Sequence, residues 1–244
     1  MTRWSELSWT EVAEQVARTP FVLLPFGAVE EHGPHLPLGT DVYAAAGLAS
    51  RIAERADLIE LPVMPYGQVW SLEHFDGSLS VSDATLVQLV VEIAAGLKRA
   101  GVRGIVLFSA HLGNAAALKK AGRALAEAGG LPAIALTYPG LSAVAAQVRE
   151  SAESHPGIMH ADELETSIML ALEPERVRMD RAVAEYPAYP EHFDVAAIRW
   201  DEVSRTGVFG DPTVATAEKG EQLVEHVVAT AVRLIASWKS EVGG

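Results

Sequence analysis

The chain has 244 residues, 49% hydrophobic and 21% charged, with 32 acidic against 19 basic side chains, a net charge of −13 and no cysteine. That apolar content excludes a disordered chain, and the length suffices to bury a large core. The negative balance offers no broad basic field to nucleic acid or an anionic membrane, and the missing cysteines exclude disulfides, thiol nucleophiles and thiolate metal sites.

In chain order, the amino terminus places Glu6, Glu11 and Glu14 where an export signal needs an uninterrupted apolar stretch, so a soluble, cytoplasmic protein is expected. The apolar windows at 21–26 and 86–97 are too short or too interrupted for the roughly 20 residues that span a bilayer. Strands are predicted at FVLLPF (21–26), LIELPVM (58–64), GIVLFSA (104–110) and PAIALTY (132–138), each short and rich in branched residues. Between them, 41–55, 83–100 and 114–128 carry apolar residues at helical spacing, each opening with a capping residue, Asp41, Asp83 or Asn114. Such alternation predicts one α/β unit over residues 1–244, a parallel sheet covered by helices on both faces. After Tyr138 the rhythm changes. A helical run through HADELETSIMLALEP should stop at Pro174, AEYPAYPEHFD (184–194) reads as an ordered surface loop or an oligomer contact, and 218–239 form an amphipathic terminal helix.

Three polar knots interrupt this pattern. GAVEEHGPHLPLGTD (27–41) follows the first strand and holds Glu30, Glu31, His32, His35 and Asp41. Strand ends are where open α/β sheets bind ligands. If the chain is still extended there, Glu30 and His32 point to one side and reach one metal, while Glu31 faces away. SAHLGN (109–114) stands in the same relation to the third strand, with His111 at the strand end; Asn114 is most simply an N-cap. In HADELETS (160–167), Asp162 and Glu165 have capping-box spacing, yet His160 and Glu165 also converge on a common site from one helix end. Spacing alone leaves both readings open.

EEHGPHLPLGTD, AHLGN, HADELETS and GVFGDPTVATAEKG (207–220), in this order, resemble the creatininase (creatinine amidohydrolase) family over nearly the whole chain. The resemblance implies a three-layer α/β/α sandwich with a mostly parallel, Rossmann-like sheet, two divalent metal ions and a homohexamer. It places Glu30, His32, Asp41, His111 and Glu165 at metal positions, with Asp41 bridging, and His160 at the catalytic-histidine position, where Glu165 also orients water. Carboxylate and imidazole ligands suit Zn²⁺, with Mn²⁺ or Fe²⁺ as alternatives, better than Mg²⁺ or Ca²⁺. The implied reaction is cleavage of a C–N bond in a small amide, cyclic or open, by metal-activated water, with His160 as general acid. In YGQVWSLEHFDGSLS (66–80), Trp70, Glu73 and His74 fall near the site and are candidate substrate contacts. Packing and solvated-loop readings compete with those roles.

Two departures argue against creatinine itself. Gly113 stands where creatinine-cleaving members carry a glutamate, and 138–159 lacks their tryptophans. Family alternatives are a peptidase trimming a peptide-derived redox cofactor, a deformylase of a pyrimidine intermediate and a keto-inositol hydrolase. A non-catalytic metal-binding homologue is the alternative outside enzymes, and against a nucleotide binder the chain has neither a G-x-G-x-x-G turn after the first strand nor a P-loop. His155, His192 and His226 have no evident partners, and Trp4, Trp9, Trp200 and Trp238 read as packing residues.

Overall fold

The computed structural model describes residues 2–242. Its sheet has five parallel strands in the order β1 (Thr2–Arg3), β3 (Ile59–Glu60), β2 (Phe21–Phe26), β4 (Gly104–Ser109) and β5 (Ala133–Thr137). Alternate residues of the central strands face opposite sides, as the two-residue period of a strand requires. Leu23, Val106 and Phe108 join the core beneath α2 (Thr40–Ala56), α5 (Leu141–Val148), α6 (Glu163–Leu172) and α7 (Ala217–Val242). Val22, Leu24, Ile105 and Leu107 join the core beneath α1 (Trp9–Arg18), α3 (Asp83–Arg99) and α4 (Ala115–Glu127). Helices on both faces of a parallel sheet make the expected α/β/α sandwich.

Several local expectations shift. The strand expected at 58–64 pairs regularly only over Ile59–Glu60. Pro62 and Pro65 supply no N–H to a ladder, so the chain rejoins β2 through single bonds, Leu61 N to Leu23 O at 2.9 Å and Met64 N to Pro25 O at 2.8 Å. Ser82, not Asp83, caps α3 by accepting from Thr85 N at 3.1 Å. Asn114 makes no side-chain cap. It ties strand ends together instead, donating to Gly27 O at 3.1 Å and accepting from Gln68 N at 2.9 Å. Asp41 lies inside the first turn of α2, whose cap position is Gly39, so its carboxylate is free of capping duty. The turn itself packs directly on the end of β2, where a Cβ at Gly27 would stand 2.6 Å from Val42 Cα. β1, α1 and α5 arise where no element was expected.

The route β2–α2–β3 leaves β2 on one side, and α3 brings the chain back to β4 on the other. The crevice outside the carboxyl ends of β2 and β4 is therefore a topological switch point, the preferred ligand position in such sheets.

Candidate metal centre

Glu30 and His32 come from the loop after β2, Asp41 from the first turn of α2, His111 from the residue pair after β4, His160 from the approach to α6 and Glu165 from its first turn. All six are at most 8% exposed. The charged groups interlock around Asp41. Its Oδ1 lies 3.3 Å from His32 Nε2, and its Oδ2 lies 3.1 Å from His111 Nδ1. Glu30 Oε1 is 3.1 Å from His111 Nδ1, and Glu165 Oε2 is 3.6 Å from His32 Nε2. Glu30, Asp41 and His111 thus form one ligand triad and His32, Asp41 and Glu165 a second, joined at Asp41, and Glu30, His32 and His160 make a third that overlaps them, each with its ligand atoms within 4.8 Å of one another.

The knot gathers three buried carboxylates around two imidazoles, a charge pattern that suits a cation. Burial alone would strip the protons from His32 and His111, but the carboxylates outweigh it, Glu165 and Asp41 at His32 and Glu30 and Asp41 at His111, and hold both imidazoles well above their ordinary value. Burial opposes ionisation of Asp41, and the two imidazoles nonetheless hold its carboxyl well below the usual range. Glu30 Oε2, His32 Nε2 and Asp41 Oδ2 are buried without any hydrogen-bond partner. Orphaned ligand atoms converging from three carboxylates and two imidazoles fit divalent ions of the zinc, manganese or iron(II) type.

Glu31, expected to face away, turns inward. The regular strand ends at Phe26, Val29 makes only an isolated bridge to Leu79, and Gly33, at φ +65°, closes a turn. Glu31 Oε1 accepts from His160 Nε2 at 2.8 Å, and its other oxygen accepts from Gly33 N at 2.9 Å. The backbone of Gly207, at φ +73°, lies so close that a Cβ there would stand 1.7 Å from Glu31 Oε2. Although burial disfavours the imidazolium, Glu31 raises the His160 pKa above its ordinary value. His160 Nδ1 faces Glu30 Oε1 at 3.8 Å, toward the ligand cluster. His35 is not part of this set. Its Nε2 bonds Thr166 Oγ1 at 2.8 Å, and burial, with His32 nearby, lowers its pKa to about 4, so it braces α6 as a neutral ring.

Of the two readings open for HADELETS, the capping box forms by half. Asp162 Oδ1 accepts from Leu164 N and Glu165 N at 3.0 and 3.1 Å, whereas Glu165 Oε2 accepts from Ala161 N at 2.6 Å rather than from Asp162 N. Asp162 Oδ1 is consumed by the cap, and Glu165 is aimed into the cluster.

A cavity of about 140 Å³ opens on Glu30, Asp41, His111, His160 and Glu165, walled by Ser71, Leu72, Leu112 and Trp200. Trp200, expected to be packing, stands edge-on to His160 with centroids 5.6 Å apart and is braced by Phe209 at 4.7 Å. Trp70, Glu73 and His74 do not line this cavity; they hold the Trp200 turn from behind. Arg199 pairs with Glu73 at 2.7 Å, donates to Trp70 O at 2.8 Å and stacks on the Trp70 ring at 4.6 Å, while His74 meets Asp201 at 3.3 Å. Gly113 also lies on the wall. A Cβ there would meet His111 Nε2 at 2.3 Å and Gln68 O at 2.5 Å, so this turn has no room for any side chain. Sequence reasoning missed Glu31 and Trp200. The signal for Glu31 was its place among the ligands; for Trp200 the sequence holds none.

Comparison with known proteins agrees with this geometry. The family model for creatininase, creatinine amidohydrolase, matches residues 5–235. The chain is 33% identical over 246 residues to the creatinine amidohydrolase of Pseudomonas putida, covering 93% of this chain and 95% of that one. It is 31% identical over 253 residues to the mycofactocin precursor peptide peptidase of Mycobacterium tuberculosis (strain CDC 1551 / Oshkosh), covering 98% and 94%. A solved manganese form of creatininase superposes with a TM-score of 0.84 at 31% identity, covering 100% of this chain and 99% of that one, and a mutant creatininase of Zn–Zn type reaches the same score. The chain belongs to the creatininase family of amidohydrolases.

Proposed function

We propose that the two triads that share Asp41 hold two divalent ions, Zn²⁺ first and Mn²⁺ or Fe²⁺ as alternatives, and that the chain hydrolyses the C–N bond of a small amide. The observation that carries this reading is Asp41, whose two oxygens face two imidazoles in two separate triads. Glu30, His32, Asp41, His111 and Glu165 would hold the ions, which when bound acidify a water and polarise a carbonyl. The residues around them do the rest. Glu165, its Oε2 fixed by Ala161 N, orients the attacking water. As the water oxygen bonds to the amide carbon and the C–N bond breaks, His160 passes a proton to the leaving nitrogen as general acid. Glu31 accepts from Nε2 and so leaves Nδ1 facing inward, which fixes the imidazole that performs the transfer. Trp200 supplies a flat wall for the substrate and keeps bulk water from His160.

Creatinine is not the favoured substrate. The clearance at Gly113 excludes the glutamate expected of creatinine-cleaving members, whose role would fall to Glu165 or solvent, and the aromatic wall comes from Trp200 instead of the loop before His160. A peptidase of the same family is the second reading, favoured by the match to the mycofactocin precursor peptide peptidase over 98% of the chain. Trp70, Glu73 and His74 act in either case through the Trp200 turn. We place the enzyme in the cytoplasm as a homo-oligomer, with a hexamer expected from the family. Trp9 and Val195, 84% and 88% exposed, are candidates for its contacts, and light scattering measures the assembly. Among the described residues no helix is long and apolar enough to cross a membrane.

The test is metal analysis of the purified protein, followed by a screen of creatinine, cyclic ureides, lactams, formamides and short peptides with Zn²⁺ and Mn²⁺. Two ions per chain and chelator-sensitive hydrolysis are expected. A folded chain that binds no metal would overturn the reading.

A further inference from the structure

A second cavity, of about 270 Å³, adjoins the first, and the two share Leu112, Gly157 and Met159 as a common wall. Its lining is largely apolar, with Tyr138, Leu141 and Leu164 among the walls, and it carries one cationic group, Arg149. Glu153, also on its wall, is exposed to solvent. The Arg149 side chain is only 14% exposed, and its Nη1 lies 3.0 Å from Asp162 Oδ2. Neither of these atoms finds hydrogen-bond geometry, and Asp162 Oδ1 is already committed to the first turn of α6. The pair therefore balances charge without using the guanidinium's donors. Arginine carries five N–H groups in a planar fork that matches a carboxylate, and a mostly buried fork with unused donors at an apolar cavity is suited to take a second carboxylate beside Asp162.

We propose that this cavity is a substrate subsite for a short apolar arm ending in a carboxylate, which Arg149 holds while the amide to be cut sits in the smaller cavity beside the triads. The inference deepens the amidohydrolase reading and rests on it for the position of the scissile bond. It narrows the substrate class to amides that carry a free carboxylate on an apolar arm, such as N-acyl derivatives of apolar amino acids and the ends of short peptides.

Binding tests this without requiring turnover. Zinc-loaded protein is titrated calorimetrically with N-acetyl-leucine and with its carboxamide, which differ only in the anion. The acid should bind roughly 10- to 100-fold more tightly to the native protein, as a charge-assisted bond to a largely buried arginine requires. Arg149→Gln should bring acid and amide to within about two-fold of each other while leaving the amide's affinity unchanged, and Arg149→Lys should retain part of the preference. Ala145→Phe, which fills the cavity and leaves the charge in place, should weaken both ligands, and it decides the matter if Arg149→Gln does not fold. Equal binding of acid and amide by the native protein overturns the proposal. So does an acid preference that survives Arg149→Gln, since the metals would then be taking the carboxylate, and so does unchanged binding by Ala145→Phe. If the amidohydrolase reading fails instead, no amide is cut while the Arg149-dependent acid preference persists.

Discussion

The ligand cluster and the wall that faces it are built by opposite means. The cluster residues sit just beyond the ends of β2 and β4 and at the starts of α2 and α6, so the sheet and the one helical layer that holds α2 and α6 dictate their positions. The wall is loop: the stretch around Trp70 to His74 and the turn carrying Trp200 are held to each other by Arg199, through one ion pair, one hydrogen bond and one ring contact. On the proposed reading, chemistry is placed on rigid elements and substrate selection on segments that can change without disturbing it. Substitutions in the first region should therefore reach turnover, and those in the second should reach substrate affinity.

The largest effect is expected at Asp41. Asp41→Ala removes the carboxylate common to both triads, so metal content should fall for both ions and activity by roughly three orders of magnitude or more. Retention of both ions would break the reading of the cluster. Next comes the proton-transfer pair, where His160→Ala should lower kcat by about 10²–10⁴-fold with metal content intact. Glu31→Ala should lower kcat by about 10–100-fold with little change in KM, and Glu31→Gln, which can still accept from Nε2, should recover part of it. Equal losses in both Glu31 variants would show that the contact does not orient the ring.

A third expectation concerns pH. The pKa values of His32 and His111 are raised in the folded protein above the unfolded value of 6.5, so their ion pairing stabilises the metal-free chain fully below that pH. The contribution is lost as pH climbs through the raised values. Metal must displace the same protons, so the rise in melting temperature on zinc loading should widen from about pH 6 to about pH 8 and be accompanied by proton release. A pH-independent increment would mean that these imidazoles are not ligands. The smallest effect should follow Arg199→Ala, which unties the Trp200 turn and leaves the cluster alone: KM up by about 3- to 10-fold, kcat nearly unchanged, metal content unchanged. A large loss of metal in this variant would erase the distinction between the two regions.

The sequence disclosed the regular parts of this arrangement for a physical reason. Strands such as FVLLPF and GIVLFS are buried throughout, so hydrophobicity alone marks them, and the polar knots that follow stand out against so apolar a background. Local capping chemistry was legible less often. Asn114 and Asp41 sit at helix starts where short polar side chains usually cap, yet tertiary partners claim both, a competition that spacing does not register. Strand alternation misplaces Glu31 because the strand ends at Phe26 and the chain turns before Gly33. Trp200 lies some forty positions beyond His160, in a turn positioned by Arg199 and by the bond from Trp200 N to Ser71 O, so only the fold brings it to the site.

The contact between Gly27 and the first turn of α2 gives the hydrogen atom at position 27 an unexpected office. Asp41 rides on that turn, so the clearance beneath it serves as the gauge of the whole centre. Enlarging residue 27 by a single methyl would lift the helix end and carry the shared carboxylate away from both imidazoles together. The dimensions of the reactive centre are in this sense inherited from how closely a helix can approach a strand, and a residue with no chemistry of its own sets the scale on which the chemistry is built.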